Sequence, residues 1–488
     1  VNVTNSNNNS TTVTFKAVTG TADAATFNLQ NVVGGSELNI TGIENLSLNG
    51  NGAVAQQIGF HANTAPNSLT IAGTSAITFD DANTTSETID ASGHSGAIIM
   101  TSNNANAVTY TGSSSIDTLT MTGNAVVDTI SLGAGNDRVN FTAGLAVTDV
   151  VSGGDGTDIL SGGDNEIRQV VGVARTTNLN ISGFETVNVD DALAGALTIA
   201  NIQATGVTKV SLNGAANGSL VMAAGDMTVT IADTLGGNLT VTDTGTAITD
   251  TLTISSASLD SEDLWNTDAL ITNGYETVNL STTVAGAAAS QDLGVITMSA
   301  DTGGSATLNV TGTNAITAGI ITADVINFSG MTAQATGTST ASMGGNDPVL
   351  VGATAHTITG SPGDDTLAAA AAIAATIEGG AGADGITGSS AADTLNGGDG
   401  IDTIAGAEGN DTINGGAGND IIDAGNNAST VTIDGGAGDD TINMDGLLDS
   451  TDTVAGGDGT DVLAVDAVTS AASAAAVSGF EVLRVDTG

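Results

Sequence analysis

Gly379 to Asp423 reads GGAGADGIT, GSSAADTLN, GGDGIDTIA, GAEGNDTIN, GGAGNDIID: five nine-residue repeats in unbroken register, each with Gly first, Asp sixth and Ile or Leu eighth. Glycine, in most repeats also at the second and fourth places, allows a tight turn of positive φ and leaves its carbonyls bare. The short strand after each turn (GIT, TLN, TIA, TIN, IID) sends one aliphatic side chain inward, because side chains alternate along a strand. Two repeats complete a coil of eighteen residues, which predicts Asp384, Asp402 and Asp420 stacked on one edge and Asp393 and Asp411 on the other. Each edge becomes a ladder of carboxylates.

Neighbouring strands lie about 4.8 Å apart, so carboxylates repeated at that spacing repel unless something neutralises them. A hard divalent cation does this. Ca²⁺ takes about six to eight oxygens from carboxylates and backbone carbonyls in flexible geometry, and an edge of Gly carbonyls and Asp side chains offers that donor set.

The array extends in both directions, from GSPGDDTLA at Gly360 to GGDGTDVLA at Gly456, with repeats starting at 360, 379, 388, 397, 406, 415, 435 and 456. Its larger gaps of 19, 20 and 21 residues equal one coil plus a small insertion, which predicts a solenoid continuous through them. The candidate carboxylate ligands are Asp365, Asp384, Asp393, Asp402, Asp411, Asp420, Asp440, Asp452 and Asp461. The candidate turn glycines are Gly360, Gly363, Gly379, Gly380, Gly382, Gly388, Gly397, Gly398, Gly400, Gly406, Gly409, Gly415, Gly416, Gly418, Gly435, Gly436, Gly438, Gly456, Gly457 and Gly459. A degenerate array precedes it at 112–166, where Asp117, Asp128, Asp137, Asp149 and Asp158 are separated by 11, 9, 12 and 9 residues. Only GGDGTDILS matches in full there, adding Gly153, Gly154 and Gly156, so this array is expected to hold fewer ions.

Composition agrees with thin stacked layers. The chain has 488 residues, is 40% apolar, and holds 67 Gly but only 3 Pro; aromatics make up 2%, so its cores are of Val, Ile, Leu and Ala. Six basic residues face 53 acidic ones, a formal charge of −47. Such a polyanion excludes nucleic acid or an anionic membrane surface as a direct partner and implies bound cations. There is no cysteine, hence no disulfide and no Cys-type zinc site. No apolar run is long enough to span a membrane. The chain opens Val-Asn-Val with no visible leader and breaks off within a strand module, which reads as a fragment.

The expected organisation is a β-strand module at 1–111, the degenerate array at 112–166, further strand modules at 167–359 without nonapeptides, the main β-roll at 360–464, and the start of another module at 465–488. One short helix is expected near 260–270 (DSEDLWNTDAL), with Asp260 as its cap. A longer repeat also recurs: ITGIENLSL (40–48), ISGFETVNV (181–189), ITNGYETVNL (271–280) and VSGFEVLRV (477–485) share a Gly, a bulky apolar residue and a Glu before alternating apolar positions.

Catalytic constellations are missing from the pattern, and the chain is expected not to be an enzyme. His61, His94 and His356 lie far apart and read as surface or turn residues, and there is no H-E-x-x-H. Ser92-Gly93-His94-Ser95-Gly96 lacks the spacing of a nucleophile elbow. Of the carboxylate pairs, Asp364-Asp365 and Asp439-Asp440 already sit in repeats.

The nonapeptides of 360–464 and 112–166 resemble the repeats-in-toxin (RTX) family of calcium-binding, type I-secreted bacterial proteins. The alternation of arrays with Thr-, Ala- and Val-rich strands and GFETV-like segments is similar to surface-layer proteins of Gram-negative bacteria. The resemblance implies an all-β parallel solenoid or β-roll, several Ca²⁺ ions, secretion, and self-association into a two-dimensional lattice on the cell surface. It also implies anchorage, through a region not in this chain, to a cell-surface polysaccharide. Two other expectations stay open: a spacer of a large adhesin, or the noncatalytic part of a secreted enzyme.

Overall fold

The computed structural model describes residues 2–4, 11–14, 20, 22–32, 37–60, 66–80, 88–102, 106–123, 127–171, 180–203, 206–232, 235–256, 268–281, 291–301, 304–312, 316–331, 339–342, 356–369, 373–425, 430–444, 448–465 and 476–485. Two compact units emerge, Val1–Ala215 with Leu220–Ala223, and Ala216–Ser219 with Ala224–Gly488. Each is an all-β parallel solenoid in which successive strands alternate between two sheets.

In the N-terminal unit the inward residues of one sheet stack in register as Leu46, Leu69, Ile89, Tyr110, Ile130, Val151 and Ile181. The facing sheet stacks Phe79, Met100, Leu119, Val139, Leu160, Val187 and Val210. All are buried. Each aliphatic side chain so removed from water contributes about 1.5–3 kcal/mol, and a column holds one per coil. The helix Asp164–Val171 sits on an insertion in this unit, with Asp164 and Glu166 in its first turn, Arg168 paired to Asp164, and Ile167 fully buried. Acidic residues at a helix start complement its dipole; that local signal in GGDNEIRQVV straddles the end of the expected degenerate array at 166.

In the C-terminal unit one sheet stacks Leu252, Val278, Leu308, Ile326, Ile358, Ile377, Leu395, Ile413, Ile433 and Val454. The other carries Leu367, Ile386, Ile404, Ile422, Ile442 and Leu463 across the nonapeptides. Strand modules and nonapeptide arrays are therefore the same two-strand coil, differing in the turns between strands. Outside, Thr251, Thr277 and Thr307, and later Thr357, Thr376, Thr394, Thr412, Thr432 and Thr453, occupy one register row, which is where β-branched polar residues favour a strand. The helix expected near 260–270 falls largely on residues 257–267, outside the described residues; Leu270 opens the strand Leu270–Asn273.

Candidate metal-binding edges

The aspartates form the ladders that the repeat predicts, held by main-chain hydrogen bonds. The N–H of Asp384 donates to Asp402 Oδ1 at 2.8 Å, eighteen residues on, and the N–H of Asp402 donates likewise to Asp420. In return, the N–H of Thr403 donates to the Asp384 carbonyl. Each aspartate thus brackets the peptide of its predecessor. The rungs continue from Asp365 to Asp384 over 19 residues, Asp420 to Asp440 over 20, and Asp440 to Asp461 over 21, so the inserted residues leave the ladder intact. On the other edge Ala375, Asp393 and Asp411 follow one another; Val431 then takes the next place and donates to Asp452. In the N-terminal unit Ile98, Asp117, Asp137 and Asp158 form one ladder and Val108, Asp128 and Asp149 the other.

The second carboxylate oxygen divides these residues, Asp128 aside, into two classes. In Asp137, Asp158, Asp384, Asp402, Asp411, Asp420, Asp440 and Asp461, Oδ2 is buried and has no hydrogen-bond partner. Leaving such a group unsatisfied costs about 1–3 kcal/mol, more when it is charged. In Asp117, Asp365 and Asp393 it is occupied: the N–H of Ser113, Ser361 or Ser389 donates to Oδ2, and the same serine's hydroxyl to Oδ1. Tyr110 Oη adds a further donor to Asp117 at 3.1 Å. Asp149 and Asp452 are closed by the N–H of Ala146 and of Asp449. Those five carboxylates, expected as ligands, have their oxygens committed to protein donors.

The turn's second residue separates the open carboxylates from the serine-closed ones, while Asp149 and Asp452 are closed from the third residue. Gly154, Gly380, Gly398, Gly416, Gly436 and Gly457 have φ between 106° and 116°, and Ala407 in the same place has φ 70°. Positive φ turns that peptide N–H away from the carboxylate, whereas the serines lie outside this region and keep theirs aimed at it. The first glycine is required for space: a Cβ on Gly397 would stand 2.3 Å from Asp402 Oδ2 and 2.4 Å from the Gly415 carbonyl. The first glycines Gly153, Gly360, Gly379, Gly388, Gly406, Gly415, Gly435 and Gly456 likewise have a carboxylate oxygen within 3.1 Å of their Cβ position. A main-chain carbonyl and an unbonded carboxylate oxygen therefore converge on each of these turns except those of Gly360 and Gly388, where a serine occupies the oxygen.

Burial above all pushes the Asp137 and Asp384 carboxyls up to about 7 and those of Asp411 and Asp420 to about 6, with neighbouring carboxylates adding to the shift. Asp158, Asp402 and Asp440 shift in the same direction for the same first cause. Among the described residues no three acidic or histidine side chains converge into a metal cage. A cation on these edges would be completed by main-chain carbonyls, and the donor set is all oxygen, which suits Ca²⁺. The unbonded buried oxygens fit such an ion.

The longer repeat proves to be part of the same ladder. Glu44, Glu185, Glu276 and Glu481 each accept, through Oε2, the N–H of an aspartate in the preceding coil: Asp23 at 2.9 Å, Asp158 at 2.7 Å, Asp250 at 3.1 Å and Asp461 at 2.9 Å. The glycines two residues before them, Gly42, Gly183, Gly274 and Gly479, have φ of 79°, 67°, 83° and 71°. Ile43, Phe184 and Tyr275 fill the turn between and are buried. Asp250 was not anticipated as a ladder residue, although GTAITDTLT (245–253) carries Gly first, Asp sixth and Leu eighth. The histidine reading needs correction. His94 is buried at 1% exposure and neither ring nitrogen has a partner. Strand parity through Ile89 and Ala91 points it outward, but a register shift opposite Thr70 and Ala72 turns it inward.

The family model of the RTX calcium-binding nonapeptide repeat, in four copies, matches residues 120–145, 148–165, 374–404, 396–431 and 427–446. Seven of the eight nonapeptide aspartates with an unbonded Oδ2 lie in those segments, and Asp461 lies beyond them. The chain therefore carries RTX calcium-binding nonapeptide repeats, set in a parallel β-solenoid. No curated protein and no solved structure matches it. No helix among the described residues is long and apolar enough to cross a membrane, which leaves strand-built spans unaddressed.

Proposed function

We propose that this chain is a structural part of a secreted bacterial protein, stiffened by calcium on its aspartate edges and working by self-association in a surface layer. The observation that carries the reading is the set of eight buried, unbonded Asp Oδ2 oxygens on the nonapeptide edges, in a chain of charge −47. Calcium bound there would supply the positive charge that this arrangement lacks. Asp137 and Asp158 in one unit, and Asp384, Asp402, Asp411, Asp420, Asp440 and Asp461 in the other, would hold it through Oδ2 together with turn carbonyls. Oδ1 stays on the preceding N–H and fixes each carboxylate in place. The role is noncatalytic. Lattice formation follows if calcium makes each coil edge rigid and neutral enough for copies to pack side by side.

The test is electron microscopy and light scattering of the protein with millimolar Ca²⁺, with Mg²⁺, and with chelator. Ordered sheets that need Ca²⁺ support the proposal, and Mg²⁺ should substitute poorly because it demands a tighter octahedron. Calcium binding by calorimetry with particles that remain monomeric at every concentration would overturn the lattice reading in favour of a spacer or an enzyme's noncatalytic part.

A further inference from the structure

We propose a divalent-cation site outside the nonapeptide arrays, at the corner of the C-terminal unit where Asp243, Asp250 and Tyr275 come together. The strand Leu235–Asp243 alternates with period two, and Leu239, Val241 and Asp243 all point inward. The last of these inward positions holds a carboxylate at 6% exposure where an aliphatic residue would pack. Asp250, also 6% exposed, lies across the turn, and Glu276 in the following coil secures it by accepting its N–H. The other Glu276 oxygen accepts the N–H of Asp301 at 3.0 Å, so one side chain ties together the turns on either side. Between Gly274 and Glu276, where the sister segments place Ile43 and Phe184, stands Tyr275.

Four oxygens at this corner are buried and without a hydrogen-bond partner: Asp243 Oδ2, Asp250 Oδ2, Asp301 Oδ2 and Tyr275 Oη. Tyr275 is fully buried, and the neighbours that most disturb its hydroxyl, after burial itself, are Asp243 and Asp250. A phenol carried into a protein interior ordinarily finds a partner, and paired buried carboxylates require a counter-charge. The sequence supplies no Lys or Arg between Lys209 and Arg484 to provide one. No His or Cys contributes, so the donors are hard oxygens of the kind Ca²⁺ selects. Asp243 and Asp250 would be the direct carboxylate ligands, completed by turn carbonyls as on the nonapeptide edges, with Asp301 adding negative charge from the next coil. Burial, then the adjoining Asp250 and Asp301, pushes the Asp243 carboxyl up to about 6. A proton shared between Asp243 and Asp250 is therefore the competing way to relieve this corner.

Terbium, an oxygen-seeking ion that replaces Ca²⁺ and emits when a nearby tyrosine is excited, reads the site in the full chain. A Ca²⁺-competable part of the sensitised emission should disappear in Tyr275→Phe and persist in Tyr110→Phe, since Tyr110 faces Asp117 instead. Calorimetry should find one Ca²⁺ fewer per chain in Asp243→Asn/Asp250→Asn, with amide protection of Ile404 and Ile413 in calcium unchanged. Emission that is the same in Tyr275→Phe as in the parent overturns the proposal, and so does an unchanged ion count in the double variant. Either result would leave the shared proton as the occupant. Because Tyr275→Phe keeps the buried ring, it decides the matter even if the double variant fails to fold. The nonapeptide reading is judged separately, by Asp402→Asn.

Discussion

Removing calcium should unfold the nonapeptide coils of 373–465 while the strand coils of the same unit persist. Six aspartates there, Asp384, Asp402, Asp411, Asp420, Asp440 and Asp461, bury an unbonded oxygen, and no Lys or Arg lies between Lys209 and Arg484. An ion that binds only the folded form stabilises it by about 1.4 kcal/mol at tenfold excess over its dissociation constant. With one ion for each such oxygen, the array gains about 8 kcal/mol, comparable to the whole stability of a domain. Extracellular calcium modules bind at about 10⁻⁴–10⁻³ M, so millimolar calcium followed by excess chelator spans the range. The coils from Thr251 to Met331 hold the same aliphatic column with few carboxylates on their edges and should lose much less. Hydrogen exchange followed by mass spectrometry separates the two regions. Protection at Ile404, Ile413 and Ile422 should collapse on chelation, while that at Val278, Leu308 and Ile326 remains. Strong protection of the first three amides in metal-free protein would refute the reasoning, because the aliphatic column would then suffice without an ion.

Acid should act on the metal-free array in the direction opposite to ordinary acid denaturation. Asp384 and Asp137 sit at about 7 when folded, against an ordinary value of 3.8, so between those values the folded state holds more protons and stability rises as pH falls; thermal melts in chelator at pH 7.5 and 5.5 measure this. Calcium affinity should fall over the same interval, because the ion must displace those protons. Asp402→Asn should lower the calorimetric calcium count, whereas Asp393→Asn should leave it unchanged and reduce stability by about 1–3 kcal/mol, since Ser389 already occupies Asp393. Gly397→Ala should destabilise the array by roughly 1–3 kcal/mol through its 2.3 Å approach to Asp402 Oδ2, while Gly385→Ala, with nothing nearer than 3.9 Å, should melt near the parent temperature.

The coil itself was legible because its period is written twice, in Gly and Asp for the turns and in Ile or Leu for the interior. Even the gaps of 19, 20 and 21 residues could be read, since a ladder tolerates an insertion that bulges outward. Which aspartates keep a free oxygen was not read from the repeat, because it depends on peptide orientations at the second and third residues of the turn. Ser361 and Ser389 stand in plain sight, but a serine there reads as a weaker glycine until its N–H is seen on the carboxylate. The Gly-Φ-Glu segments were recognised as a repeat without a role, since their partners lie 20 to 27 residues upstream. His94 escaped because a single shifted residue reverses every inward and outward assignment after it.

In each unit the side-chain rungs run in two opposed sets. At the sixth position of the repeat the N–H belongs to the earlier coil and the carboxylate to the later one, as in Asp137 onto Asp158 and Asp440 onto Asp461, while at the fifth position the later coil donates back, as Thr157 to Asn136, Ala383 to Asp364 and Thr460 to Asp439. A cut between two of these coils therefore leaves donors and acceptors on both faces, each face carrying them at different positions of the turn. Head to tail, the fifth-position and sixth-position groups of the two faces meet donor to acceptor, so cut pieces can rejoin in that order. Within this edge chemistry, a coil duplicated in place meets both neighbours through contacts already present, so the solenoid can lengthen or shorten by whole coils without a new kind of junction.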